Sequence, residues 1–217
     1  VFADGKFKVV YSPLNGAGNK PVREILRRCG VENVTVVKTQ ELPDGNFPTC
    51  PYPNPEIRQA FEEALKVAKE VKPDILLATD PDCDRVGIAV EKDGDYKLMT
   101  GNEVGVMLLN YILSQKKANS TLPENPVAVK TIVSSELARK IADKYSCKLI
   151  DVLTGFKFIG EQIKLLEEKG RDDDFVLGFE ESYGYLAGSY VRDKDAVIAS
   201  MLICEMAAFY KTQGKSL

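Results

Sequence analysis

Ile75-Leu76-Leu77-Ala78-Thr79-Asp80-Pro81-Asp82-Cys83-Asp84-Arg85 passes from five residues of strand character straight into three carboxylates at alternate positions and an arginine. The apolar run predicts a β-strand, within sheets that the rest of the chain makes mainly parallel. Such sheets bind ligands beyond the carboxyl ends of their strands, so the acids fall where an α/β protein puts its chemistry. Three anions this close repel one another and need a counter-charge. A hard divalent cation that takes oxygen ligands, Mg²⁺ or Ca²⁺, supplies it, which makes Asp80, Asp82 and Asp84 candidate metal ligands. Arg85 adds a positive fork suited to a phosphate beside the metal. Cys83 reads as a spacer pointing away, because Mg²⁺ disfavours thiolate.

Two rival readings use the same acids. An EF-hand loop would take Asp80, Asp82, Asp84 and Glu91 as ligands, but Arg85 stands where that loop needs glycine, and the flanks read as strands rather than helices. A haloacid-dehalogenase-type phosphatase would use Asp82 as nucleophile in Asp82-Cys83-Asp84-Arg85-Val86. That fold carries its motif on the first strand and adds a later acidic pair after a glycine, which is not clear here.

Outward from this stretch, strand-like and helix-like runs alternate along the chain. Before it come a strand at 7–11, a turn at Gly16-Ala17-Gly18, a helix from about Lys20 to Cys29 stopped by Gly30, and a strand at 34–38. Residues 39–55 hold five prolines and read as loop, and 56–71 has apolar residues at helical spacing. After it come a strand at 86–90, a hairpin turn at Asp93-Gly94 and a helix at 103–114. The polar run 115–126 reads as a linker. Beyond it lie strands at 127–133, 147–152 and 175–180, with helices at 135–145 (Ser134 or Ser135 as N-cap), 157–169 and 195–211. This alternation predicts an α/β protein: two consecutive three-layer α/β/α domains with mainly parallel mixed sheets, residues 1–117 and 118–217. An apolar helix at 196–209 is expected to leave some hydrophobic surface exposed.

The chain has 217 residues, 44% apolar and 28% charged, ordinary for a globular protein. Its net charge of −3, with no basic and aromatic cluster, argues against nucleic acid as a partner. No long apolar run or signal segment is visible, so no membrane partner is expected. The five widely spaced cysteines fit a reducing cytoplasm better than a disulfide framework. There is no histidine. That removes the usual general base and the Ser-His or Cys-His dyads, and leaves carboxylates, Lys, Arg, Ser, Tyr or a metal. The chain begins with Val1 and enters a strand almost at once, which reads as a piece of a longer protein.

Three further segments could carry chemistry. Gly178-Phe179-Glu180-Glu181-Ser182-Tyr183-Gly184-Tyr185 follows a strand, and its carboxylates and hydroxyl suit vicinal sugar hydroxyls. Thr154-Gly155-Phe156-Lys157 places a glycine turn and a lysine at a helix start, an arrangement that can meet a phosphate. Asn15-Gly16-Ala17-Gly18-Asn19 lacks the P-loop lysine and the full dinucleotide spacing, so it reads as a structural turn.

Together these segments resemble the α-D-phosphohexomutase superfamily, the phosphoglucomutases and phosphomannomutases. Thr79–Arg85 looks like that family's metal loop, Gly178–Ser182 like its sugar-recognition loop, and Thr154–Phe158 like the segment whose lysine contacts substrate. Tyr11–Gly16 and Pro43–Pro48 are similar to its second domain. The resemblance implies the second and third of four domains. The first domain's phosphoserine loop and the fourth domain's phosphate-binding loop have no counterpart here, so domains I and IV would be partners supplied by the parent chain. It further implies Mg²⁺ on Asp80, Asp82 and Asp84, Arg85 and Lys157 as catalytic groups, and Thr154, Gly155, Gly178, Glu180 and Ser182 as substrate contacts. The substrate implied is a hexose 1- or 6-phosphate, converted through a bisphosphorylated intermediate, with this piece inactive alone. Many members have Gly-His after the recognition serine where this chain has Tyr183-Gly184, which leaves the sugar open. A non-catalytic sugar-phosphate-binding module is the remaining alternative.

Overall fold

The strand expected at 75–79 is the middle of a five-stranded sheet. In the computed structural model, which describes Phe2 and residues 5–217, β1 spans Lys8–Ser12, β2 Asn33–Val36, β3 Ile75–Thr79, β4 Val86–Lys92 and β5 Asp95–Met99. The order is β2-β1-β3-β4-β5. β1 runs parallel to β2 and β3, with Val9 opposite Ile75. β4 and β5 are antiparallel, with Leu77 opposite Ile88. Every residue of β3 is buried, as its apolar run requires.

Alternation of side chains along the strands gives the sheet two apolar faces. Helix α2 (Glu62–Val71) covers one: its Ala64 and Ala68 pack with Val10, Leu76, Ala78 and Ala89. The small alanines let helix and sheet approach closely, and each fully buried leucine contributes about 1.5–3 kcal/mol. Helices α1 (Asn19–Arg28) and α6 (Ala196–Thr212) pack together on the other face, with α6 touching β3 and β4. This unit comprises the chain up to Met99 and Ala196–Leu217.

Thr100–Asp195 forms the second unit. Its strands β6 (Val127–Thr131), β7 (Lys148–Val152), β8 (Phe175–Phe179) and the two-residue β9 (Tyr185–Leu186) are ordered β7-β6-β8-β9. The first three are parallel, and β9 is antiparallel to β8. Helix α5 (Phe156–Glu167) packs Phe156, Ile159 and Ile163 against Val127, Val129 and Phe175. Helices α3 (Gly101–Ala118) and α4 (Leu137–Lys144) pack on each other, α3 also touching β8 and α4 touching β7. Two mixed α/β units are therefore present, as expected, the first sheet evenly divided between parallel and antiparallel pairs and the second mainly parallel.

The details depart from the sequence reading at four places. The break between units lies at Met99/Thr100 and not at 117/118, because the polar run begins inside a helix. A capping box starts α3 early: Thr100 Oγ1 accepts the Glu103 amide (3.2 Å) and Glu103 Oε2 accepts the Thr100 amide (2.7 Å). The helix then continues to Ala118. Helix α6 belongs by its packing to the first unit, against α1 and the sheet; among the described residues no large hydrophobic side chain of α6 is fully exposed, while Val197, Ile198, Met201 and Leu202 stay half-buried, so part of its apolar surface does face outward, as expected. The helix expected from Glu56 begins at Glu62 after a 3-10 turn at Arg58–Phe61, since Asn54 Oδ1 accepts the Glu56 amide (3.0 Å) and Ile57 is extended. Finally, neither Ser134 nor Ser135 is the N-cap of α4; that residue is Glu136. The Ser134 hydroxyl is held by Thr131 (2.8 Å), and Ser135 Oγ accepts the Leu137 amide (3.3 Å).

Candidate functional site

The acidic loop leaves the carboxyl end of β3 and folds back on itself. The Cys83 amide donates to Asp80 O (3.0 Å) and the Asp80 amide to Arg85 O (3.2 Å). Cys83 adopts a left-handed conformation at the turn, φ +61°. The closure brings Asp80, Asp82 and Asp84 together, one carboxylate oxygen from each lying within 4.8 Å of the others. An all-carboxylate oxygen set graded from buried Asp80 to exposed Asp82 fits a hard divalent cation.

Asp80 is fully buried. Its Oδ1 accepts the amides of Asp84 (3.1 Å) and Arg85 (3.0 Å), and its Oδ2 accepts Arg85 Nε (2.7 Å). Burial pushes the carboxyl up and outweighs the lowering by the Arg85 bonds, leaving it at about 6, with the Asp84 charge adding to the rise. Arg85 also reaches Glu56 Oε1 (3.4 Å) and remains partly exposed. Glu56 was not visible as a site residue, because in the sequence it reads as the first residue of an amphipathic helix.

The glycine turn before α1 buttresses this loop. The Ala17 amide donates to Pro81 O (2.8 Å), and a Cβ on Gly16 would stand 2.3 Å from Pro81 Cα. Only glycine permits that approach. The turn is structural, as expected, and its work is to seat the acids. Beneath it Tyr11 and Thr79 share a buried hydrogen bond (2.8 Å). Cys83 Sγ is turned toward Gly18, consistent with a spacer.

In the second unit the remaining candidates follow β7 and β8, at the carboxyl ends of parallel strands. Thr154 is exposed and Gly155, at φ +120°, starts α5. Lys157 is exposed, with its ammonium 5.0 Å from the Phe158 ring centre. Glu180 is buried at the end of β8, its amide donating to Gly184 O (3.0 Å), and Ser182 is partly exposed in the turn. Gly178 lies elsewhere: it is buried inside β8, paired with Leu186 and packed under Ile159, so it brings α5 close to the strand. The geometry adds Lys194. A Cβ on Gly184 would meet Lys194 Cδ at 2.2 Å and Glu180 Oε1 at 2.8 Å, so Lys194 runs beside Glu180. Its ammonium lies 5.4 Å from the Phe156 ring centre, which ties the Thr154–Phe158 segment to the Glu180 turn. Nothing local marks Lys194; it lies in an ordinary charged run, Arg192-Asp193-Lys194-Asp195.

Residues 2–94 match the family described as phosphoglucomutase/phosphomannomutase, alpha/beta/alpha domain II, and residues 100–217 match domain III of the same family. The chain belongs to the phosphoglucomutase/phosphomannomutase family. A phosphoglucomutase of Staphylococcus haemolyticus is 37% identical over 212 residues, covering 97% of this chain and 37% of the relative. This chain thus spans little more than a third of that curated relative. Among solved structures, a phosphoglucomutase/phosphomannomutase family protein of Burkholderia thailandensis superposes with TM-score 0.73 at 16% identity, covering 94% of this chain and 40% of its own. An N-acetylphosphoglucosamine mutase of Aspergillus fumigatus, solved with GlcNAc-6P and magnesium, gives TM-score 0.62 at 15% identity, over 97% and 48%. In this phosphohexomutase frame the acidic loop lies in domain II, and the Thr154 and Glu180 segments lie in domain III.

Proposed function

We propose that this chain is the central part of a Mg²⁺-dependent mutase that interconverts sugar 1- and 6-phosphates. The observation that carries this reading is the convergence of Asp80, Asp82 and Asp84 at the end of β3, beside Arg85, in a chain of this family. Those carboxylates would hold Mg²⁺, which when bound neutralises charge on a transferring phosphoryl group. Arg85, held by Asp80 and Glu56, presents its remaining guanidinium edge to the same phosphate. Glu180 and Ser182 supply an acceptor and a donor to sugar hydroxyls. Lys194 and Lys157 offer cations to the substrate's phosphate, with Thr154 and Gly155 forming the turn between them. The phosphoryl donor, a phosphoserine, and a second phosphate clamp would come from domains I and IV, so the chain alone is inactive. Five free thiols and no membrane-length apolar helix among the described residues fit a place in the reducing cytoplasm.

Calorimetric titration of the chain with Mg²⁺ tests the metal half: binding is expected, and Asp82→Asn is expected to weaken it at least tenfold. Metal binding unchanged by that substitution would count against the assignment. Glucose 1-phosphate turnover by the longer protein that carries this segment tests the reaction, and failure on hexose and pentose phosphates alike would refute it. The phosphatase alternative, with Asp82 as nucleophile, loses ground because the motif follows the third strand of its unit rather than the first.

A further inference from the structure

Lys130 is a fully buried cation outside every motif considered so far. Its ammonium donates to Thr131 O (3.4 Å), Ser134 O (3.2 Å) and Glu136 Oε1 (2.9 Å), and pairs with Asp151 Oδ1 (2.9 Å). Two of these are backbone carbonyls of one tight turn, closed by the Ser134 amide on Thr131 O (3.0 Å). A buried ammonium is retained only where such bonds replace its hydration. Here they specify the course of the chain as it leaves β6.

The turn points a hydroxyl pair across the sheet end. Thr131 and Ser134, both buried, share a hydrogen bond of 2.8 Å. Thr131 Oγ1 donates to Glu181 Oε2 at 2.7 Å, fifty residues away in sequence. Glu181 stands between Glu180 and Ser182, the two groups assigned above to the sugar hydroxyls. That bond fixes the half-buried Glu181 carboxylate against the end of β6, with Glu180 and Ser182 on either side of it in the turn.

Resting on the proposed sugar-phosphate reading, we infer that Thr131 is a positioning residue: its hydroxyl, oriented by Ser134 and by the Lys130-organised turn, anchors Glu181 and so sets the recognition turn at Glu180–Ser182. A hydrogen bond to a charged group is among the stronger side-chain bonds, and a recognition turn loosened by about an ångström loses affinity without losing fold.

Thr131→Val keeps the shape and removes the hydroxyl, while Thr131→Ser keeps the hydroxyl. Amide hydrogen exchange on the chain reads the anchoring directly. The amide of Glu180, bonded to Gly184 O, is expected to exchange about tenfold faster in Thr131→Val, with β7 amides unchanged, and to return to the original rate in Thr131→Ser. An unchanged Glu180 amide overturns the inference whether or not the chain belongs to a mutase. In the longer protein, Thr131→Val is expected to raise KM for the sugar phosphate about tenfold while leaving Mg²⁺ affinity near its original value. KM unchanged in a protein that turns the sugar over, or lost equally in Thr131→Ser, overturns it too. Absence of turnover in the unsubstituted protein would instead strike the mutase reading and leave the exchange result to decide this one.

Discussion

The two loops proposed above to hold the metal and the sugar are built on opposite plans. The acidic loop of the first unit is local: its three carboxylates lie within five consecutive residues, and its arginine is the next residue after them. The Glu180–Ser182 turn of the second unit is assembled from a distance: Glu181 is held by Thr131, and Lys194 arrives beside Glu180 from the far side of β9. A metal site can be compact because one cation draws several carboxylates to a point. A sugar, the ligand proposed for the second loop, presents hydroxyls over a wider surface, so its partners would come from several elements. The comparison teaches that the first loop should fail through its own residues and the second through residues outside it.

Asp80→Ala is the most disruptive way to test the first half. It removes the acceptor of two amides and of Arg85 Nε. A loss of about 3 kcal/mol in urea unfolding is expected, together with loss of Mg²⁺ binding. Full retention of stability would show that the loop does not depend on this carboxylate. Gly16→Ala comes next. Pro81 backbone must move to admit the methyl group, so about 1–3 kcal/mol of destabilisation and weaker Mg²⁺ binding are expected; an unaffected metal titration would free the acidic loop from its buttress.

The pH dependence of metal binding is confined to the same loop. The Asp80 carboxyl sits at about 6, so above that value it is ionised and able to share a cation. Below it a proton competes, and Mg²⁺ affinity is expected to fall about tenfold between pH 7.5 and pH 5. The metal-free protein shows the opposite sign. A carboxyl raised above its unfolded value of about 3.9 takes up a proton on folding, so the Asp80 contribution to stability is greatest below pH 4 and declines as pH rises through 6. Unfolding curves with and without Mg²⁺ across this window should therefore diverge. Parallel curves would show that Asp80 is not a ligand.

The smallest effect sharpens the second half. Lys194→Met is expected to raise KM for the sugar phosphate about fivefold, and Lys157→Met less than twofold, because Lys194 runs beside Glu180 while Lys157 lies exposed over Phe158. Reversal of that order would return the phosphate contact to the first turn of α5.

Much of the fold was legible in order of sequence. The buried run at 75–79, the helical spacing that α2 realises over 62–71 and the βα alternation each express a local pattern that the chain's order alone carries. The convergence of the three carboxylates was legible for the same reason, since their spacing and the backbone turn coincide in six residues. Gly178 illustrates the limit. It stands in the recognition motif, yet the register of β8 with β9 and the approach of Ile159 make it a packing residue.

What local order could specify, then, was which segments are strands and helices and where three carboxylates must crowd. Only the packed chain decided that α6 joins the first unit, that Glu56 braces Arg85, that Lys194 lies at Glu180, and that Thr131 holds Glu181. Each of these joins residues far apart in the chain. Their contact depends on which sheet faces are left to cover and which buried polar groups still lack partners, and neither is settled until the strands have paired.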